Sequence, residues 1–157
     1  MKTKRLPLVI VVLLVSVLAW ADDSGSCGQN VTYKYVEATN TLTITGTGPM
    51  ADYSSNTIPW RNYNKEIKKV VIESGVSTIG ESAFYGCSKL ASAIIPSTVT
   101  TIKHSAFGGC WELKSIVIPN GVISIDNSVF TNCYHLGSIS IPQSVISIGN
   151  YCFYDCI

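Results

Sequence analysis

The sequence predicts a mainly β solenoid of stacked 23-residue coils with parallel short strands, preceded by an N-terminal cap built on a β-hairpin. The first observation is internal periodicity. At an offset of 23 the second half matches itself, bringing Ile79, Ile102, Ile125 and Ile148 into one phase and Pro96, Pro119 and Pro142 into another. The only phenylalanines, Phe84, Phe107, Phe130 and Phe153, also share a phase, as do Cys87, Cys110, Cys133 and Cys156. The second observation is local alternation: Leu113, Ile116 and Ile118, with Leu90, Ala93, Ile95 and Leu136, Ile139, Ile141, read as short strands with one buried face, each ended by a proline that has no N–H to donate.

Taken from the start, Met1 to Arg5 carries three basic side chains, Leu6 to Leu18 is largely apolar, and Ala19-Trp20-Ala21 closes the run. This is the pattern of a cleaved secretory signal, too short for a membrane span. Residues 1–21 are therefore read as a signal peptide and 22–157 as the mature chain. Without the leader, eight basic side chains face ten acidic ones, a net charge of −2 that argues against nucleic acid as a partner. No later apolar stretch is long enough for a membrane helix, and membrane contact is expected only through an anchor not present in this chain.

Residues 22–66 break the period and form the expected cap, because the first coil of a solenoid otherwise exposes its core. Val31, Tyr33 and Tyr35 alternate, as do Leu42 and Ile44, with Glu37-Ala38-Thr39-Asn40 between them: a hairpin. Gly46 to Met50 is read as a loop. Trp60 lies 23 residues before Ala83, so it stands at the small-residue phase of a coil zero, where a large ring covers the core.

Residues 67–157 are the solenoid. Ile67, Val70 and Ile72 make the earliest copy of the strand, a second brief strand falls at Val76 to Ile79, and Ser82 to Cys87 turns the chain back with its small residue, Phe and Cys inward. One unit buries about seven side chains at roughly 1.5–3 kcal/mol each, whereas ordering its backbone costs on the order of 20–45 kcal/mol. Stacking is therefore obligatory. The last coil stops at Ile157 before its next strand, which suggests a fragment of a longer repeat protein.

The unit running from Ile102 through Ala106, Phe107, Cys110, Leu113, Ser115, Ile116, Ile118, Pro119 and Val122 to Ser124 resembles the BspA-like, treponemal-type leucine-rich repeat. The resemblance covers Ile67 to Ile157. Proteins of that family are secreted or surface proteins of host-associated microbes, implicated in adhesion to host proteins and other cells. The resemblance thus implies a leucine-rich-repeat solenoid at the cell surface or secreted, with a host or cell-surface protein as partner.

No enzyme is expected. The four in-phase cysteines lack the close pairs that zinc sites favour and read as a column of buried thiols. Cys87 with Cys110, and Cys133 with Cys156, remain candidate disulfides in an exported chain, and Cys152 reads as a core filler. A dyad of Cys133 with His135 places one partner inward and the other in a link, so no catalytic residue, cofactor or metal site is assigned. The surface remains. Strand residues alternating with the buried set, Lys69 and Val71, Ser92 and Ile94, Ser115 and Val117, Ser138 and Ser140, line up as one hydroxyl-rich, almost chargeless strip, suited to a protein or a glycan. Trp111 and Tyr134, at the position after each Cys, add an exposed aromatic step. The reading is an adhesion or protein-interaction module; the alternatives are a spacer presenting another domain, or a glycan-binding module.

Overall fold

The computed structural model describes residues 22–157, so the expected leader lies outside the described residues. Two lines of strands follow the stack, the first broken part-way into two sheets and the second a single sheet. The first opens with strands β1 (Asp23–Ser26), β2 (Val31–Val36) and β3 (Thr41–Gly46), joined antiparallel. Val31, Tyr35, Leu42 and Ile44 are fully buried and Tyr33 nearly so, which is the expected hairpin. A single 3-10 turn at Glu37–Thr39 closes it, with Asn40 in the left-handed region and its Oδ1 accepting the Tyr35 hydroxyl at 2.8 Å.

Strand β4 (Gly48–Pro49) lies inside the segment expected to be a loop. It pairs parallel with β6 (Val76–Ile79) and so begins the second sheet, in which β8 (Thr101–Ile102), β10 (Ser124–Ile125) and β12 (Ser147–Ile148) follow at one per coil. The Gly46-Thr47-Gly48 sequence makes this possible. Gly46 has φ +122°, and a Cβ there would meet the Asn30 carbonyl oxygen at 2.0 Å. No other residue fits.

The first sheet continues in parallel. Strand β3 pairs with β5 (Lys69–Ile72) and β5 with β7 (Ser92–Ile94), so the hairpin and the coils share one ladder. Strands β9 (Ser115–Val117) and β11 (Ser138–Ser140) also pair with each other, but β7 and β9 do not. A cleft of about 420 Å³ lies at this break, lined by residues 91–95 and 115–117. Its cause is local: Ala93 stands where the neighbouring coils place Val70, Ile116 and Ile139, so the coil is underfilled there. Ala93→Val adds two carbons to this half-buried site. It is expected to raise stability by about 1 kcal/mol, measurable as a higher urea midpoint.

Between second-sheet strand and next coil, Ser82 to Cys87 and its copies form a third line of bonding. The Phe84, Phe107 and Phe130 N–H groups donate to the carbonyls of Ala106, Val129 and Cys152 in the following coil at 2.8, 3.0 and 2.9 Å. Each turn holds two left-handed residues: Ser82, Ser105, Ser128 and Tyr151 at one phase, and Gly86, Gly109, Asn132 and Asp155 at the other. The second set contains residue types that tolerate this conformation; the first does not, and the Ser82, Ser105 and Ser128 N–H groups donate there to the carbonyls of His104, Asn127 and Asn150 in the next coil, a bond that Tyr151 lacks among the described residues.

The core is a single file of rings. Phe84, Phe107, Phe130 and Phe153 stack at centroid distances of 5.2, 5.6 and 5.7 Å with interplanar angles of 28°, 10° and 3°. Trp60 extends the file toward the cap, 5.8 Å from Phe84, and is itself fully buried with Tyr33 and Tyr53 against it edge-on. Its Nε1–H donates to the Ala83 carbonyl at 3.0 Å. In later coils the equivalent carbonyl takes a main-chain N–H from the preceding Phe, so the indole supplies the donor that a full coil zero would have supplied.

The last coil departs from expectation. Phe153 and Cys156, read as core, are half-buried, as are Ile139 and Val145, while Ile141 and Ile148 are exposed. The physical reason is one-sided packing, since among the described residues no coil lies on their outer flank.

Candidate functional site

The outward strip expected from alternation is present on β7, β9 and β11. Ser92, Ser115, Ser138 and Ser140 are exposed, and Ile94 and Val117 are 51% and 71% exposed. Parallel pairing sets Ser138 beside Ser115 and Ser140 beside Val117. The break between β7 and β9 divides this surface in two, and Ile94 and Val117 line the cleft between the halves. An unbroken strip was expected; the underfilled site at Ala93 interrupts it.

The in-phase cysteines do not meet a partner chemistry. All six cysteines are free thiols, and neither candidate disulfide is formed. Instead the Cys110, Cys133 and Cys156 thiols donate to the carbonyls of Phe84, Phe107 and Phe130, each in the preceding coil, at 3.4, 3.3 and 3.2 Å. The column is therefore a line of weak bonds inside the core. Cys152 is buried as a filler, and Cys27 is buried within the cap. Cys133 and His135 are drawn to different partners: the thiol to Phe107, and His135 Nδ1 to the Trp111 carbonyl at 2.8 Å.

Burial pushes the Cys87 and Cys133 thiols up to about 12, raises Cys110 well above the ordinary thiol value, and pushes Cys152 to about 11. A thiol so raised is protonated at neutral pH and a poor nucleophile. It also ties stability to alkaline pH. The folded chain keeps these protons above pH 9 while the unfolded chain gives them up, so each contributes stability that is complete below the ordinary value of 9.0 and is lost as pH rises toward 12. The loss is about 1.4 kcal/mol per pH unit for each group. Under reducing conditions the urea midpoint should hold between about pH 6 and 8 and fall steeply by about pH 10.5. Cys110→Ala should flatten that slope, and an unchanged slope would contradict the assignment.

The aromatic step is also present, on the turn side of the stack. Trp111 and Tyr134 are 50% and 39% exposed, with ring centroids 6.0 Å apart at 34°. With Tyr85, itself 38% exposed, they border a groove of about 430 Å³ that runs across successive coils. Gly86 and Gly109 lie along it, and Ser55, Asn64 and Lys65 close it on the cap side. Sequence reasoning missed all three, although Lys65 stands at the phase of Ser88, Trp111 and Tyr134 and the 23-residue offset, carried one coil earlier, points to it. Among the described residues, no group of His, Cys, Asp and Glu side chains is placed to hold a metal ion.

A family model for the BspA type leucine rich repeat region matches residues 61–157 in six copies. The chain belongs to this family. Solved leucine-rich repeat proteins share its fold. One from Eubacterium ventriosum is 27% identical, with a TM-score of 0.65 over 82% of this chain and 40% of that one. The Treponema pallidum leucine-rich repeat protein is 31% identical, with a TM-score of 0.59 over 79% of this chain and 64% of that one. A third, from Bacteroides ovatus, is 26% identical, with a TM-score of 0.61 over 74% of this chain and 35% of that one. The BspA-type chain thus spans less than two thirds of each of these relatives. No match was found among curated proteins.

Proposed function

We propose that this BspA-type repeat chain is an exported, surface-acting adhesion module that binds a host or cell-surface protein through the outward face of its first sheet and is not an enzyme. The observation that carries the reading is the strip itself. Across β7, β9 and β11 the exposed residues are Ser92, Ile94, Ser115, Val117, Ser138 and Ser140, without a charged side chain among them. Short hydroxyl groups allow close approach of a partner, and Ile94 and Val117 supply apolar area whose burial favours binding, while Lys69, beside Ser92 at the strip's start, is the one charge to be stripped of water. Repeat solenoids present extended surfaces of this kind to protein partners. Export rests on the leader pattern of residues 1–21.

Replacing Ser92, Ser115 and Ser138 together by Lys tests the reading. Binding to host cells or immobilised matrix protein should fall at least tenfold, because three cations must then be desolvated or left unpaired at the contact. The far-ultraviolet dichroism should be unchanged, since all three side chains are exposed. Undiminished binding would assign the strip no part in adhesion and favour a spacer.

A further inference from the structure

We infer that the groove bordered by Tyr85, Trp111 and Tyr134 is a saccharide subsite, taking a short oligosaccharide of hexose units that is neutral or carries one anionic sugar. It rests on the reading of the chain as an exported binding module, but uses a different face from the strand strip. The groove has the two things a pyranose needs. The rings of Trp111 and Tyr134, 6.0 Å apart and each more than a third exposed, offer flat apolar faces to the C–H side of a sugar. Between and beside them lie amide and indole donors for its hydroxyl belt.

Those donors are not consumed by the fold. The Trp111 main-chain carbonyl accepts from His135 at 2.8 Å, and among the described residues no hydrogen bond uses the indole N–H. Nε1 of Trp111 lies 3.8 Å from where a Cβ on Gly109 would sit, and Nδ2 of Asn64 lies 3.7 Å from where one on Gly86 would sit. Both donors therefore border the open floor made by the two glycines. At the same phase of the next coil the left-handed position is filled by Asn132, which adds an amide to the groove where the earlier coils leave space.

The composition selects the class of ligand. Lys65 is the one charged side chain lining the groove, and no carboxylate does, so hydroxyl groups or a single acid group are matched and a polycation is not. A lipid chain needs a continuous apolar slot, whereas here ring and amide alternate. The groove also follows the stack, so successive sugars would meet successive coils. Tyr85 is set in place by Gly108, where a Cβ would come within 3.0 Å of its ring.

The test uses chitotriose, maltotriose, lacto-N-tetraose and sialyllactose as probes, read by acrylamide quenching of the Trp111 fluorescence, taken as the difference between the wild type and Trp111→Phe. Trp60 is buried and serves as the internal reference. At least one probe should protect Trp111, and Trp111→Ala, which removes the reporter, should weaken binding of that probe at least tenfold by isothermal titration calorimetry. Asn132→Gly should weaken it several-fold; glycine accepts the left-handed backbone, so this loss cannot come from strain. No protection by any probe, or protection indifferent to Asn132→Gly, overturns the inference. The triple Ser-to-Lys variant keeps the two readings apart, because saccharide binding should survive in it while protein binding is lost. Protein binding by a wild type that binds no probe sinks the subsite alone.

Discussion

Phe107→Ala should cost about 4 kcal/mol, within the 3–5 kcal/mol range for removing a buried phenyl ring. Phe107 is fully buried and stacked on both faces, 5.2 Å from Phe84 and 5.6 Å from Phe130. The loss therefore combines the transfer of the ring, two stacking contacts worth roughly 0.5–1.5 kcal/mol each, and a void that the rigid coils cannot collapse to fill. Against a total stability of about 5–15 kcal/mol this leaves the chain close to its unfolding limit at room temperature. Urea denaturation followed by dichroism measures it. The same substitution at Phe153 should cost less than half as much, because that ring is stacked on one side only and is half-buried. Equal costs at the two positions would show that the file of rings does not act as a continuous core.

Trp60→Ala should be at least as damaging, at about 4–6 kcal/mol, and should act on the junction between the hairpin and the coils. Two losses add. The indole fills the space above Phe84 and beneath Tyr33 and Tyr53, and emptying it falls in the usual range for a buried aromatic. The Ala83 carbonyl also loses its donor at 3.0 Å, and a buried acceptor left unpaired costs about 1–3 kcal/mol. Trp60→Phe should recover the ring packing but not the hydrogen bond, and so fall between the two. Limited proteolysis adds the location: the alanine variant should be cut first within residues 22–66. Cutting spread evenly along the chain would deny Trp60 its special place.

Much of this architecture was legible because the repeat is enforced by shape. Like side chains must nest on like, so Phe, Cys, Val and Ile recur in phase, and the inward positions follow. The hairpin was legible for a related reason, since Val31, Tyr33 and Tyr35 all face one core. What escaped carries little side-chain signal. Strand β1 reads Asp-Ser-Gly-Ser and pairs with β2 through main-chain bonds at the edge of the sheet. Strand β4 is a Gly-Pro pair recruited by β6. The left-handed Ser82, Ser105, Ser128 and Tyr151 are residue types that give no local signal for that conformation. The candidate surfaces divide in the same way. The strip follows from alternation, and Trp111 and Tyr134 follow from their common phase. Lys65 shares that phase one coil earlier, but coil zero lacks the in-phase Phe and Cys that mark the later coils, so it and Asn64 were passed over.

If the chain acts as the proposed adhesion module, the interruption between β7 and β9 bears on how it would carry load. Main-chain bonds between coils lie along the stack, so traction between a surface and its target pulls on them end to end. At most junctions three lines of bonds share the load. Between the second and third coils the first-sheet line is absent, leaving the β8 to β10 ladder, the turn segment and the His135 contacts to the Trp111 carbonyl to carry the tension. The stack should therefore yield first at that joint, opening on the strip side and pivoting about the intact edge, so that the two halves of the strip can tilt to follow a curved partner before anything unfolds.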